Sequence, residues 1–299
     1  MSGWTPDRQL PGFEAKQLAF PDDYDGPVVA TLVRLPHADA PRGAVLYVHG
    51  FIDYFFQRHV ALRFAQEGYA FYALDLRKHG RSLGAHQHPC FCKDLAEYFP
   101  DLTSALAEIG EPVLLAGHST GGLICTLYAH HGERRDQVRA LWLNSPFFDF
   151  RVRGARRAKL ALGILLGRFF PFLSDPKSVS PAYVKTLHRD FGGEWEFDLA
   201  LKPVNGFPAY FGWLAAIRDG HAKVHAGLRL AAPVLSMHSD EADVILDWRQ
   251  TARWSRTLGP RVSVLQFPGG LHDLVLSRAE IREEVFRQLF EWPGLSSLA

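Results

Sequence analysis

Short apolar runs recur along the first half of the chain, each bounded by glycine, proline or acidic residues and followed by a stretch with helical spacing. Val45-Leu46-Tyr47-Val48 is continuous rather than alternating, as expected for a strand covered on both faces. The same pattern predicts strands over 28–35, 43–49, 69–74, 112–116 and 138–143, with a turn at 37–41. Val60, Leu62, Phe64 and Ala65 mark a helix that stops at Gly68. Leu95, Phe99, Leu102, Leu106 and Ile109 form one face of a second helix, which Pro100 either kinks or starts. Leu123 to Ala129 reads as a third, buried helix.

The rhythm breaks after Asp149. From there to Leu230 the chain is aromatic, basic and punctuated; it then resumes with strands at 233–238 and 262–267. A last helix runs over 277–292, opened by the capping-box pattern Ser277-x-x-Glu280 and burying Ile281, Val285 and Leu289. Alternating strands and helices predict an α/β fold, a mostly parallel sheet flanked by helices. The expected organisation is a core of residues 1–148 and 231–299, with 149–230 inserted as a cap.

Composition narrows the function classes. The chain has 299 residues, 47% hydrophobic and 22% charged, which suits one large core. A net charge of +1 gives no nucleic-acid signal. Cys90, Cys92 and Cys125 make no disulfide framework, and the C-x-C spacing does not suit a zinc knuckle. Without phosphate-binding glycine loops or metal-spaced clusters, neither a cofactor nor a metal is expected. The N-terminus lacks a secretory pattern and no stretch is apolar enough to span a membrane, so a cytoplasmic enzyme is the expectation.

The candidate chemistry centres on Gly117-His118-Ser119-Thr120-Gly121, which follows an apolar strand and precedes a buried helix. This G-x-S-x-G context projects a serine hydroxyl from a strained turn. Ser119 is the expected nucleophile and needs a base to take its proton. In such folds the partners follow in the order Ser, acid, His, each on a loop after a strand. His272, in Phe267-Pro268-Gly269-Gly270-Leu271-His272-Asp273, is the expected base, with Asp273 beside it a helix-start acid. Asp243 is the expected acid, ahead of Asp240 and, more remotely, Asp149. The backbone N–H groups of Thr120 and Phe51 are the expected oxyanion donors. His49 and the loop Arg77-Lys78-His79-Gly80-Arg81-Ser82 read as structural, the latter tying a turn beneath the site.

Tyr47-Val48-His49-Gly50, Asp75-Leu76-Arg77-Lys78-His79-Gly80-Arg81-Ser82, GHSTGG and Gly270-Leu271-His272-Asp273 together resemble the α/β-hydrolase superfamily. The likeness is to its monoacylglycerol-lipase and lysophospholipase-like branch, related to the serine aminopeptidases. It covers about 43–292 and implies the triad Ser119, Asp243, His272 with Phe51 and Thr120 at the oxyanion hole. The sequence departs from the family twice. The acid loop His238-Ser239-Asp240-Glu241-Ala242-Asp243 lacks the usual glycine, and Lys78 stands where the family often has glycine.

The inserted segment should set the substrate. Phe51, Phe147, Phe169, Phe211 and Trp213 are candidates to line the pocket, and Leu160 to Leu166 could cover an acyl tunnel or simply pack on the core. The expected partner is a hydrophobic acyl ester, with transient contact of the cap with a membrane surface through Arg151, Arg153, Arg156, Arg157 and Lys159 as the further possibility. An aminopeptidase would instead need an acidic clamp, for which Glu194, Glu196 and Asp198 are the dense candidates. A noncatalytic ligand binder is the remaining class, whereas Ser119 disfavours haloalkane dehalogenase chemistry, whose family nucleophile is Asp.

Overall fold

The computed structural model describes residues 3–36, 42–175 and 181–298. The 37–41 turn lies outside them. Among the described residues, eleven strands run in chain order: β1 (Thr5–Pro6), β2 (Glu14–Asp23), β3 (Gly26–Arg34), β4 (Ala44–Val48), β5 (Ala70–Asp75), β6 (Val113–His118), β7 (Val138–Asn144), β8 (Ser174–Asp175), β9 (Ala209–Tyr210), β10 (Val234–His238) and β11 (Val262–Gln266). The helices are α1 (Arg58–Gln66), α2 (Phe99–Ile109), α3 (Thr120–His131), α4 (Ala155–Gly167), α5 (Ala182–Leu187), α6 (Phe211–His225), α7 (Trp248–Ser255) and α8 (Ala279–Phe290).

Nine strands form one sheet in the order β1-β2-β3-β5-β4-β6-β7-β10-β11. Pairing is antiparallel from β1 to β5 and parallel from β5 to β11. The continuous apolar run in β4 has the expected cause. Leu46 and Val48 enter a core under α2, α3 and α6, whereas Val45 and Tyr47 enter the core under α1 and α8. Pro100 starts α2 rather than kinking it, after a 3-10 turn over Leu95–Tyr98. The final helix lacks the expected capping box: α8 opens after Arg278, and Ser277 Oγ instead accepts the Leu271 N–H at 2.9 Å, bracing the histidine loop.

Between the neighbouring strands β7 and β10 the described helices lie in two layers. Trp213, Ile217 and Val224 of α6 join the core, while His221 and His225 donate Nε2–H to the carbonyls of Phe147 (2.9 Å) and Phe148 (2.8 Å). Helix α4 lies outside, its Gly163 and Gly167 against α6; a Cβ at Gly167 would stand 2.0 Å from the Phe211 carbonyl. Leu162 (56% exposed), Leu165 (55%) and Phe169 (72%) therefore face outward. These leucines do not roof a tunnel.

Candidate active site

The loops leaving β4, β6, β10 and β11 meet at the carboxyl edge of the parallel sheet. Ser119 occupies the single position between β6 and α3, with φ 52° and ψ −118°. Such a backbone costs a non-glycine residue on the order of 1–3 kcal/mol and persists only where surroundings over-determine it. Here the Ser119 N–H donates to Asn144 O at 3.0 Å and its carbonyl accepts the Phe147 N–H at 3.0 Å. Gly121 lets the start of α3 lie against the end of β4, because a Cβ there would stand 2.2 Å from the His49 carbonyl.

His272 lies between Ser119 and Asp243. Its Nε2 lies 3.0 Å from Ser119 Oγ and its Nδ1 lies 2.9 Å from Asp243 Oδ2. With Nδ1–H donating to the carboxylate, Nε2 is the acceptor for the serine proton. All three side chains are buried. Burial alone would raise the Asp243 carboxyl, but His272 beside it and the N–H groups of Leu246 and Ile245 hold it below the ordinary carboxylate value. Those two N–H groups reach Asp243 Oδ1 at 2.9 and 2.7 Å. Asp240 does not reach the histidine; it accepts the Gly269 N–H at 3.1 Å and clips the acid loop to the histidine loop. Asp149 accepts the adjacent Phe150 N–H at 2.8 Å.

Opposite the hydroxyl, Gly50 brings the β4 loop close: a Cβ there would stand 3.2 Å from Ser119 Cβ. The next residue, Phe51, and Thr120 at the start of α3 have backbone N–H groups that no protein group among the described residues takes. His49 Nε2 accepts the Leu76 N–H at 3.1 Å, which leaves Nδ1–H to donate to Gly50 O at 2.8 Å. Beneath this loop, Arg77 pairs with Asp101 and Arg81 with Asp75 and Asp7. Asp75 also accepts the Phe55 N–H at 2.8 Å. Lys78 occupies its glycine-like position at φ 61° and is held there by Asp23 and Asp25.

The pocket candidates separate. Phe51 stacks on Trp213 of α6, centroids 3.8 Å apart and planes 20° apart, and Phe147 follows strand β7. Phe211 instead packs on Gly163 of α4, and Phe169 points into solvent, so neither joins this group. Physically, α4 approaches α6 through its glycines, which turns Leu162 and Leu165 outward.

Several supporting residues escaped the sequence reading. Asp273 is a buried brace as well as the cap of a 3-10 turn: it takes Asn144 Nδ2 at 2.6 Å and Gln57 Nε2 at 3.3 Å. Arg151 donates to the Asp243 carbonyl at 2.7 Å. Of the proposed acidic clamp, Glu196 pairs with Arg189 and Glu194 lies near Arg282, both well exposed, while Asp198 caps a turn through the Ala200 N–H. They are not gathered at Ser119. Among the described residues, no helix is long and apolar enough to cross a membrane.

Comparison with known proteins places this geometry. The family described as Serine aminopeptidase, S33 matches residues 39–278. A monoglyceride lipase of Saccharomyces cerevisiae is 31% identical over 84% of this chain and 84% of its own. A monoacylglycerol lipase of Mycolicibacterium smegmatis is 26% identical over 78% of this chain and 82% of its own. The crystal structure of the Paleococcus ferrophilus monoacylglycerol lipase superposes with a TM-score of 0.70 at 25% identity, covering 90% of this chain and 99% of that one. The chain belongs to the serine aminopeptidase (S33) family of α/β-hydrolases, on its monoacylglycerol-lipase-like branch.

Proposed function

We propose that this carboxylic-ester hydrolase cleaves hydrophobic acyl esters of the monoacylglycerol or lysophospholipid kind through an acyl-enzyme on Ser119. The hydrogen-bonded chain Ser119–His272–Asp243, at 3.0 and 2.9 Å, carries this reading. Ser119 Oγ attacks the ester carbonyl carbon while His272 Nε2 takes its proton, and Asp243 stabilises the imidazolium. The N–H groups of Phe51 and Thr120 hold the oxyanion. Collapse transfers the proton from His272 to the departing alkoxide, releasing the alcohol. A water molecule then gives its proton to His272 as it attacks the acyl carbon, and collapse returns that proton to Ser119 Oγ as the acid is released. The names of the lipase relatives and the apolar group Phe51–Trp213 support an acyl substrate. The missing acidic clamp counts against an aminopeptidase.

In this reading, residues 149–230 act as a cap, and its outer face touches the lipid surface that holds the substrate. Leu162, Leu165, Phe169 and Phe170 would enter the interface, with Arg156, Arg157 and Lys159 of the same helix near the head groups. The reaction is tested with Ser119→Ala and a fluorophosphonate probe. Wild type should label and hydrolyse p-nitrophenyl esters, and the variant should do neither. Unchanged turnover in pure variant would refute the nucleophile. A panel of monoacylglycerols and lysophospholipids of graded chain length then identifies the substrate.

A further inference from the structure

Beside the triad lies an ion pair that the reaction scheme does not use. Lys202 Nζ is 2.6 Å from Asp53 Oδ1, and the two side chains are only 7% and 3% exposed. Asp53 belongs to the loop after β4, two residues past Phe51; Lys202 lies in the inserted segment. Two charges lose much hydration when buried, and their mutual attraction offsets it only when the geometry is good. Among the described residues, Lys202 is the one cation within salt-bridge distance of Asp53. Lys202 also stands over the rings of Phe56 (5.2 Å) and Phe197 (5.5 Å), one from each region. Burial would raise the Asp53 carboxyl, but Lys202 and then the His49 and His118 rings bring it below its ordinary value.

The pair sits in a segment gripped from two sides. From beneath, Asp75 accepts the Phe55 N–H and Arg81 Nη1 donates to the Phe55 carbonyl at 2.9 Å. From the insertion, Trp213 stacks on Phe51, Lys202 pairs with Asp53, and the Tyr54 hydroxyl accepts the Asp198 N–H at 2.7 Å. Between Phe51 and Asp53, Ile52 is held at φ 50°. A non-glycine residue keeps that conformation only while its flanks are fixed. Of these three contacts, the ion pair alone joins charges, so its loss leaves an uncompensated group in the interior.

We infer that Asp53 and Lys202 are positioning residues that tie the Phe51 N–H, as oxyanion donor, to the seated position of the insertion. With the pair in place, the 51–54 backbone is fixed and the donor faces Ser119. With the insertion lifted, or Lys202 neutralised, that backbone relaxes and the oxyanion loses one donor. The enzyme is then competent only when the cap is seated. This inference rests on the acyl-transfer reading above.

The test compares wild type, Lys202→Met, Asp53→Asn and the Asp53→Asn/Lys202→Met double variant. Each is assayed on p-nitrophenyl butyrate and with an alkyl trifluoromethyl ketone, whose hemiketal oxygen needs the same donors. Rates are normalised to active sites titrated to completion with fluorophosphonate. Lys202→Met should lower kcat at least about tenfold, short of the 10²–10³ typical of deleting a donor outright, with KM within about threefold. Affinity for the ketone should fall by the same factor as kcat. The double variant carries no unpaired charge, so its thermal midpoint should recover while kcat and ketone affinity stay low. If the double variant recovers both, the pair is structural alone and the inference fails. It also fails if kcat per titrated site matches wild type in any variant that breaks the pair. Should a single variant not fold, the double variant decides between these outcomes. Wild type that neither labels nor turns over would overturn the acyl-transfer reading, and this inference with it.

Discussion

The carboxyl edge of the sheet and the outer layer of the insertion are built from similarly apolar sequence, yet they end in opposite states. At the sheet edge almost every polar group has a named partner. Ser119 is held by Asn144 and Phe147, Asp243 by two backbone N–H groups, and His272 by Ser119 and Asp243. In α4, Leu162 and Leu165 are left exposed, and two glycines lie against α6. One region is over-determined by backbone geometry; the other is seated by a narrow strip of small residues. Chemistry that needs sub-ångström placement suits the first. The second is suited to move or to meet another surface.

The sharpest break of this contrast is at the two aspartates of the acid loop. Asp243→Asn should lower kcat/KM on the order of 10³–10⁴, because an amide no longer holds the productive histidine tautomer. Asp240→Asn, which disturbs only a loop clip to Gly269, should cost a few-fold at most. Equal losses in the two variants would remove Asp243 from its special role. Steady-state kinetics on one soluble ester measures both.

The two close-contact glycines come next. Alanine at Gly121 would place its Cβ 2.2 Å from the His49 carbonyl, and alanine at Gly167 would place it 2.0 Å from the Phe211 carbonyl. By distance alone the variants should be alike. Gly121→Ala should nevertheless abolish activity and cost about 3 kcal/mol or more, since the nucleophile elbow and β4 cannot separate. Gly167→Ala should leave the core transition in place and increase proteolysis within 149–175 as α4 lifts. Thermal melts and limited trypsin digestion read the difference. A matching loss of global stability in Gly167→Ala would show that α4 is as firmly built in as α3.

The same contrast governs what the sequence discloses. The Ser119, Asp243 and His272 loops were legible because local signals coincide with chain order: an apolar strand, a glycine-bounded serine, and later loops in the required sequence. The alternation of Val45, Leu46, Tyr47 and Val48 between two cores follows directly from strand geometry. Strands β1 and β2 were not legible. They lie at the sheet edge with few buried residues, so Glu14–Asp23 carries little apolar pattern. The division of the insertion was also hidden, since α6 and α4 are both rich in apolar residues and only tertiary contact decides which is covered. Ion pairs such as Lys202–Asp53 leave no local trace, because each partner alone reads as an ordinary surface charge. Ser277 shows the reverse error: a capping-box spacing drew the hydroxyl to α8, while the fold uses it on Leu271.

If α4 meets lipid, its outer face can be changed without touching chemistry. Leu162→Ser/Leu165→Ser/Phe169→Ser should keep turnover of a soluble ester within about twofold, as these side chains are exposed. Removing three apolar side chains should lower binding to mixed phosphatidylcholine–phosphatidylglycerol vesicles at least about tenfold, given roughly 0.8 kcal/mol per buried methylene. Sedimentation with vesicles measures it. Unchanged vesicle binding would leave this face without a lipid role.

The smallest effect tests the over-determined region through pH. Asp243 and Asp53 both titrate below the ordinary carboxylate range, the first through His272 and the second through Lys202, against the opposing pull of burial. The unfolded chain therefore binds protons on these groups before the folded one does. Their contribution to stability is complete above the unfolded value of about 4 and is lost as pH falls through the lower folded values. Across that window each group changes stability by at most about 1.4 kcal/mol per pH unit. The Asp53→Asn/Lys202→Met double variant has one such carboxylate fewer. Its urea midpoint should fall less steeply than that of wild type between about pH 4 and pH 2. Parallel slopes would mean that Asp53 titrates alike in the folded and unfolded chains, so that the pair with Lys202 does not lower its carboxyl.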